Sequence, residues 1–188
     1  MEFDLYNDTY NFFLEFIKYP SPDLLEIGFW PGNITRYILS KRPDTSILGI
    51  DISPTMIQLA MKNNPTVSFK VMDCWDIQML ENAYNAIICG FCIPYLSGED
   101  CSNLINNCHD LLVKDGIFYL SFVIGNYDQS GYLKGSTGGK LYFYYHTLHE
   151  KWNDLTDSSF KIIHEVSKDY QNDAGIFEKH AIMIAKRD

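Results

Sequence analysis

The stretch Asp23–Leu39, "DLLEIGFWPGNITRYIL", decides the fold. It reads as an apolar strand, a glycine-bearing turn and a helix. Residues 24–28 (LLEIG) are a short apolar run of the length expected for a buried strand. Asn33 is a good N-cap for a helix over about 34–41, with Ile34, Tyr37 and Ile38 on one side. Between the two lies a turn that carries Gly28 and Gly32, but also Trp30 and Pro31. Strand, tight turn and helix are the parts of a loop that holds a nucleotide cofactor. Bulky residues inside the turn make the choice of cofactor an open question.

Working outward, the same alternation repeats. Residues 46–50 (SILGI) read as a second strand. Ser53 and Pro54 open a helix with apolar Met56, Ile57, Leu59 and Ala60. Strands follow at 67–72 and 84–90, then a helix over about 99–113 capped by Ser97 or by Glu99 and Asp100, a "KDG" turn and a strand at 117–123. Five strand–helix alternations in roughly 100 residues demand right-handed crossovers and a parallel sheet covered on both faces. The tail breaks the pattern: a helix near 147–157, then two strands, 160–170 and 177–187, joined by the turn "QNDAG". That is a hairpin. The expected architecture is an α/β, Rossmann-like, doubly wound and mostly parallel seven-stranded sheet with a C-terminal antiparallel hairpin. One domain over residues 1–188 suffices, with 1–22 as an N-terminal helical cap.

Bulk properties exclude several partners. Net charge is -9 over 188 residues, and the fifteen Lys and Arg are scattered, so a nucleic-acid partner is not expected. An anionic membrane is disfavoured for the same reason, and no run of eighteen apolar residues could span one. The start, "MEFDLYNDTY", has acids where a secretion signal needs basic residues. Five cysteines, an odd number set mostly in apolar runs, fit reduced thiols and a cytoplasmic protein.

A parallel α/β sheet binds ligands at the carboxyl ends of its strands. Three successive ends carry suggestive residues. Gly28 ends the first strand before a helix whose free N–H groups favour an anionic group. Asp51 ends the second and can bind two ribose hydroxyls. Asp73 ends the third and can accept from a base amine. Each alone is an ordinary turn or cap residue; the three together suggest a nucleoside. A dinucleotide fingerprint, G-x-G-x-x-G, fails because Trp30 and Asn33 stand at its second and third glycines. A phosphate loop fails too, since the Gly139-Lys140 pair has Lys134 and Leu141 at its other key positions.

The chain resembles the class I S-adenosylmethionine-dependent methyltransferases, in particular their small bacterial branch. The resemblance lies in "LLEIGFWPGNITRYIL", "ILGIDISPTMIQLAMKNNP", "FKVMDCWDI", "YNAIICGFCIPYLS" and "LLVKDGIFYLSFV", in order over about residues 24–124. The family also ends in an antiparallel hairpin. The resemblance implies S-adenosyl-L-methionine as cofactor. It implies that Glu26 is the acid of the first strand, that Gly28 and Gly32 shape the loop, and that Phe29 and Gly32 lie along the methionine part. Asp51 would bind the ribose, with Ile52 and Met56 flanking the adenine. Asp73 would meet the adenine amine beside Cys74. Gly90 and Phe91 would line the pocket below the sulfonium, and Tyr10 of the N-terminal helix would cover it. Trp30 departs from the family, which has glycine there. Its indole can point away, obstruct the methionine moiety, or meet the sulfonium as a cation–π partner; weakened but surviving binding is the expected result.

Other constellations carry less. Cys89 and Cys92 have redox spacing, but Cys89 sits within a strand and not at a helix start, so buried or pocket-lining thiols are expected. His146, His149 and Glu150 suit one helix face yet lack a third ligand cluster, and no metal is expected. His146 remains a candidate for the acceptor site, as does Tyr95 in "CIPY". Residues 125–140, with glycines at 125, 131, 135, 138 and 139, read as a loop at the ligand edge and a candidate substrate lid. The expected activity is methyl transfer to a small-molecule acceptor. The alternative is a protein of the same fold that binds the cofactor with weak catalysis or none. A nicotinamide dehydrogenase ranks third.

Overall fold

The computed structural model describes residues 4–28, 31–134, 139–171 and 175–188. Seven strands form one sheet: β1 (Asp23–Ile27), β2 (Ser46–Asp51), β3 (Ser68–Val71), β4 (Tyr84–Gly90), β5 (Leu112–Val123), β8 (Phe160–Gln171) and β9 (Phe177–Arg187). Their order is β3-β2-β1-β4-β5-β9-β8. The first five pair in parallel. β9 runs antiparallel to both β5 and β8, which makes it the inserted strand of the expected hairpin and leaves β8 at the edge.

Helices α1 (Asn7–Phe16), α2 (Asn33–Lys41), α3 (Pro54–Asn63), α4 (Gly98–Leu111) and α5 (Leu148–Asp157) cover the sheet. Side chains alternate between faces along a strand, so β1 feeds two cores. Leu24 joins Phe13, Ile34, Ile38 and Ile88 beneath α1 and α2. Leu25 and Ile27 join Ile87, Leu104, Ile105 and Phe118 beneath α4 and α5. Leu24 and Leu25 are both wholly buried; truncating either to Ala costs about 2–5 kcal/mol on general grounds.

Several expectations match the local chemistry. Ser53 caps α3, its hydroxyl accepting from the Met56 N–H with Pro54 at the first turn. Ser97 and Asp100 form a capping box on α4. Two readings need correction. Gly32, not Asn33, caps α2; it holds a left-handed φ of 80°, and Asn33 is the first helical residue. Residues 125–140 are more than a loop. They hold β6 (Gly131–Lys134) and lead into β7 (Lys140–Phe143), and the two pair antiparallel as a second, two-stranded sheet.

Strand order reverses direction between β1 and β4: β2 and β3 lie to one side of β1, β4 and β5 to the other. At such a switch point the loops after neighbouring strands diverge and leave a crevice at the carboxyl edge.

Candidate functional site

A cavity of about 540 Å³ opens at that crevice, within the range typical of small-ligand sites. Gly28, Asp51, Ile52, Ser53, Met56, Asp73, Cys74 and Phe91 line it, with Ile27, Ile50, Met72, Trp75, Cys92, Tyr95, Leu96 and Leu141. The residues singled out at three successive strand ends therefore meet in one place.

The β1 end is shaped by backbone. Gly28 has φ 66° and donates its N–H to Ile50 O at 3.0 Å. A Cβ there would lie 2.9 Å from Cys92 Cβ, closer than real side chains approach. Only glycine suits both the left-handed backbone and the close neighbour. Gly32 is similarly constrained: a Cβ would lie 2.2 Å from Asn64 Nδ2. That amide donates to Gly32 O at 3.1 Å, and Asn63 Nδ2 donates to Pro31 O at 2.8 Å. The turn is thus pinned to the end of α3 by two asparagines that sequence reasoning missed. Phe29 and Trp30 lie outside the described residues.

The β2 and β3 ends supply acids. Asp51 is half-buried, and its Oδ1 accepts from the Ser53 N–H at 2.8 Å. Burial pushes its carboxyl above the ordinary value, partly offset by that bond. Asp73 caps the 3-10 turn Cys74–Met79, accepting from the Trp75 N–H at 3.1 Å. Both acids so hold their own loops as well as facing the cavity. Ile52 is 67% exposed at the rim, an apolar shelf. Trp75, 57% exposed, faces the same space; the only sequence signal for it was its place after the third-strand acid.

Glu26 lies beneath the glycine turn, wholly buried. Thr35 Oγ1 donates to its Oε2, and Oε1 has no partner among the described residues. Burial raises its carboxyl to about 7, the Thr35 bond working against this. Glu26, Gly32, Gly90 and Tyr10 stand outside the described lining. Gly90 makes room for α2, since a Cβ would lie 2.7 Å from Ile34 Cδ1. Tyr10 is buried with its ring 5.7 Å from Tyr37 and 5.6 Å from Tyr119.

The β4 side is built from side chains. Phe91 holds φ 57°, an uncommon conformation for a bulky residue, with its N–H donating to Ser121 Oγ at 3.1 Å. Cys74 and Cys92 are cavity-lining thiols, while Cys89 is buried in β4; all five cysteines are free. The Cys92 thiol beside it and burial hold the Cys74 thiol far above its ordinary value. It is not a reactive thiolate. Tyr95 faces the cavity and sits edge-on to Phe143 of β7, 6.2 Å away. Tyr144 donates its N–H to Pro94 O at 2.7 Å, docking the β6–β7 hairpin onto this rim.

His146 is elsewhere. It is buried, its Nε2 donating to Leu96 O at 3.1 Å and lying 3.7 Å from Cys101 Sγ. Burial lowers its pKa. Glu150 caps α5 with Thr147, and His149 bonds Asn153. Among the described residues no group of three or more His, Cys, Asp or Glu is arranged to hold a metal ion. Nor is any described helix long and apolar enough to cross a membrane.

Comparisons with known proteins agree with this geometry. Residues 24–116 match the family described as a methyltransferase domain. Protein 235L of Invertebrate iridescent virus 6, a methyltransferase by name, is 35% identical over 79 residues, 42% of this chain and 29% of its own. A malonyl-[acyl-carrier protein] O-methyltransferase of Acetivibrio thermocellus is 29% identical over 101 residues, 53% of this chain and 35% of its own. The chain thus matches about a third of the length of these relatives. Among solved structures, a SAM-dependent methyltransferase of Methanosarcina mazei superposes with a TM-score of 0.78 at 18% identity, over 93% of this chain and 96% of that one. With its glycine turn, its two strand-end acids and its terminal hairpin, the chain has the fold of the class I S-adenosylmethionine-dependent methyltransferases, and residues 24–116 match a methyltransferase domain.

Proposed function

We propose that the protein transfers a methyl group from S-adenosyl-L-methionine to a small-molecule acceptor. The observation that carries this reading is the convergence of Gly28, Asp51 and Asp73 on one cavity. The residues present fit the cofactor. Gly28, left-handed and packed against Cys92 where no Cβ fits, leaves backbone open to the methionine part, and Gly32 caps the helix that follows. Asp51 takes the ribose hydroxyls through charge-assisted bonds. Ile52, Met56 and Trp75 sandwich the adenine, and Asp73 accepts from its amine. When bound, the cofactor supplies a methyl group already activated by a sulfonium. The chain's part is to align an acceptor in line with that methyl and to exclude water. Phe91, Tyr95 and Leu141 stand on the side left for the acceptor, and the β6–β7 hairpin serves as its lid.

The names of the relatives support a small acceptor, and the acidic chain disfavours a polyanionic one. A second reading, cofactor binding with little or no turnover, is favoured by Trp30 at a position where the family has glycine. Calorimetric titration with S-adenosylmethionine, S-adenosylhomocysteine and NAD separates the possibilities. The two S-adenosyl ligands should bind and NAD should not; NAD binding alone would sink the methyltransferase reading. Trp30→Gly should tighten both S-adenosyl ligands, while losing roughly 0.5–1 kcal/mol of stability to backbone entropy. If it weakens the sulfonium ligand alone, Trp30 is a cation–π contact instead.

A further inference from the structure

With the cofactor on the strand-end acids and the apolar shelf beside them, the cavity wall left over is Phe91, Cys92, Tyr95, Leu96 and Leu141. All five line the cavity itself, so a molecule lying beside the cofactor touches them. They come from the loop after β4, from the 3-10 turn Ile93–Tyr95 with Leu96 behind it, and from β7.

Neighbouring elements hold this wall in place. Tyr144 donates its N–H to Pro94 O at 2.7 Å, and His146 Nε2 donates to Leu96 O at 3.1 Å. The turn that carries Tyr95 is thus tied on both sides to the chain that follows the hairpin. Phe143 meets the Tyr95 ring edge-on at 6.2 Å, and Phe91 is fixed at φ 57° with its N–H on Ser121 Oγ. Rings oriented before a ligand arrives bind it with little ordering cost.

The chemistry of the wall is narrow. None of the five residues is Asp, Glu, Lys, Arg or His. Among the described lining residues the only ones of those types are Asp51 and Asp73, both on the cofactor side. Lys140 precedes Leu141 in β7 and so points to the other face of the hairpin. A carboxylate set against this wall would shed water, find no cation and face two acids across the cavity. An ammonium would face the cofactor's sulfonium, with both acids already engaged. One strong hydrogen-bonding group interrupts the apolar surface. The Tyr95 hydroxyl has no hydrogen-bond partner among the described residues. Burial, with the Cys92 thiol beside it, raises its pKa, so it stays protonated and can donate.

We propose that the methyl acceptor is an uncharged molecule with a flat apolar body, and that Tyr95 selects it by hydrogen-bonding its polar group. The inference rests on the methyltransferase reading and narrows it. The body packs on Phe91, Leu96 and Leu141, where ring and aliphatic surfaces favour a flat partner. The Tyr95 hydroxyl fixes which end turns toward the cofactor. Tyr95 holds the acceptor and takes no proton from it.

The test uses the full chain saturated with S-adenosylhomocysteine and probes of similar size: benzyl alcohol, toluene, benzoate, and benzylamine as its ammonium. Ligand-detected NMR gives the dissociation constants in the natural protein, in Tyr95→Phe and in Leu141→Lys. Benzyl alcohol should bind about tenfold more tightly than benzoate or benzylamine. Tyr95→Phe should weaken benzyl alcohol by about fivefold, the scale of one neutral hydrogen bond, and leave toluene unchanged. Leu141→Lys puts a cation on the wall at an exposed position and should bring benzoate level with benzyl alcohol or above it. Benzoate or benzylamine binding as tightly as benzyl alcohol in the natural protein would overturn the uncharged class. Equal losses of toluene and benzyl alcohol in Tyr95→Phe would overturn the hydrogen bond, and no binding of any probe would overturn the site. Calorimetry of S-adenosylhomocysteine on the same samples separates the two levels. If it binds and the probes fail, the acceptor wall alone is wrong; if it does not bind the natural protein, the methyltransferase reading falls as well.

Discussion

The two sides of the cavity are made differently. On the β1–β3 side the ligand surface is backbone and short acids: Gly28 at a left-handed φ, Asp51 held by a Ser53 N–H, Asp73 held by a Trp75 N–H. On the β4 side it is side chains brought from distant positions: Phe91, Cys92 and Tyr95, with Leu141 from the hairpin. A cofactor of fixed shape can be met by fixed turns, and fixed turns need particular residues at particular spacings. An acceptor that varies from one protein to another is met by packing, which has no local spacing to read. The family resemblance runs through both sides, but its glycine turn and its two strand-end acids lie on the first.

Substitutions on the two sides should therefore behave differently, and the largest effect belongs to the backbone-built side. Gly28→Ala places a side chain at φ 66°, with its Cβ 2.9 Å from Cys92 Cβ. It should cost about 2–4 kcal/mol of stability and cofactor affinity together. Urea unfolding with and without S-adenosylhomocysteine checks this, and a loss below about 1 kcal/mol would mean that the turn relaxes easily.

Glu26 gives the next largest effect, and its sign is unusual for an acid. Its carboxyl is raised from 4.5 to about 7 by burial, so the folded state binds a proton that the unfolded state has released. Stability is then greatest below about pH 4.5 and falls as pH rises to about 7, by about 3 kcal/mol on this one group. Glu26→Gln should flatten that slope. Unfolding measured at pH 5 and pH 8 in both proteins decides the matter; equal slopes would place the raised carboxyl elsewhere.

Asp51→Ala follows. It removes charge-assisted bonds to a ribose and should weaken S-adenosylmethionine by about 1.5–3 kcal/mol while leaving the fold intact. An unchanged dissociation constant by calorimetry would take Asp51 out of the site. The smallest effect is expected across the cavity. Leu141→Ala, on the hairpin, should change cofactor affinity by less than about 0.5 kcal/mol but alter turnover. A collapse of cofactor affinity in that variant would erase the distinction between the two sides.

The same contrast governs what the sequence reveals. β4 falls on the expected residues 84–90 because its apolar run is continuous and bounded by turns. The C-terminal hairpin was legible for a similar reason: two long runs flank an Asp- and Gly-bearing turn. β6 and β7 were not. Each is four residues long, set among glycines, and forms only because it pairs with the other. The cap of α2 was misassigned because Asn33 has the side chain for the task, whereas the turn needs the left-handed backbone that Gly32 provides. Asp51 and Asp73 were readable from their strand ends. Trp75, Asn63 and Asn64 were not, since their roles depend on where α3 and the turn after β3 happen to meet the glycine loop.

A nucleoside at the switch point between β1 and β4 would be seen in a crystal structure of the protein with S-adenosylhomocysteine. The ribose hydroxyls should lie on the Asp51 carboxylate, the adenine between Ile52, Met56 and Trp75 with its amine at Asp73, and the amino-acid end over Gly28. A second cavity, of about 400 Å³, lies at the opposite, amino-terminal ends of the strands, lined by Asp23, Ser46, Ser68 and Tyr84 among others. Nucleoside density there, or anywhere away from Asp51, would rule out a cofactor site at the switch point.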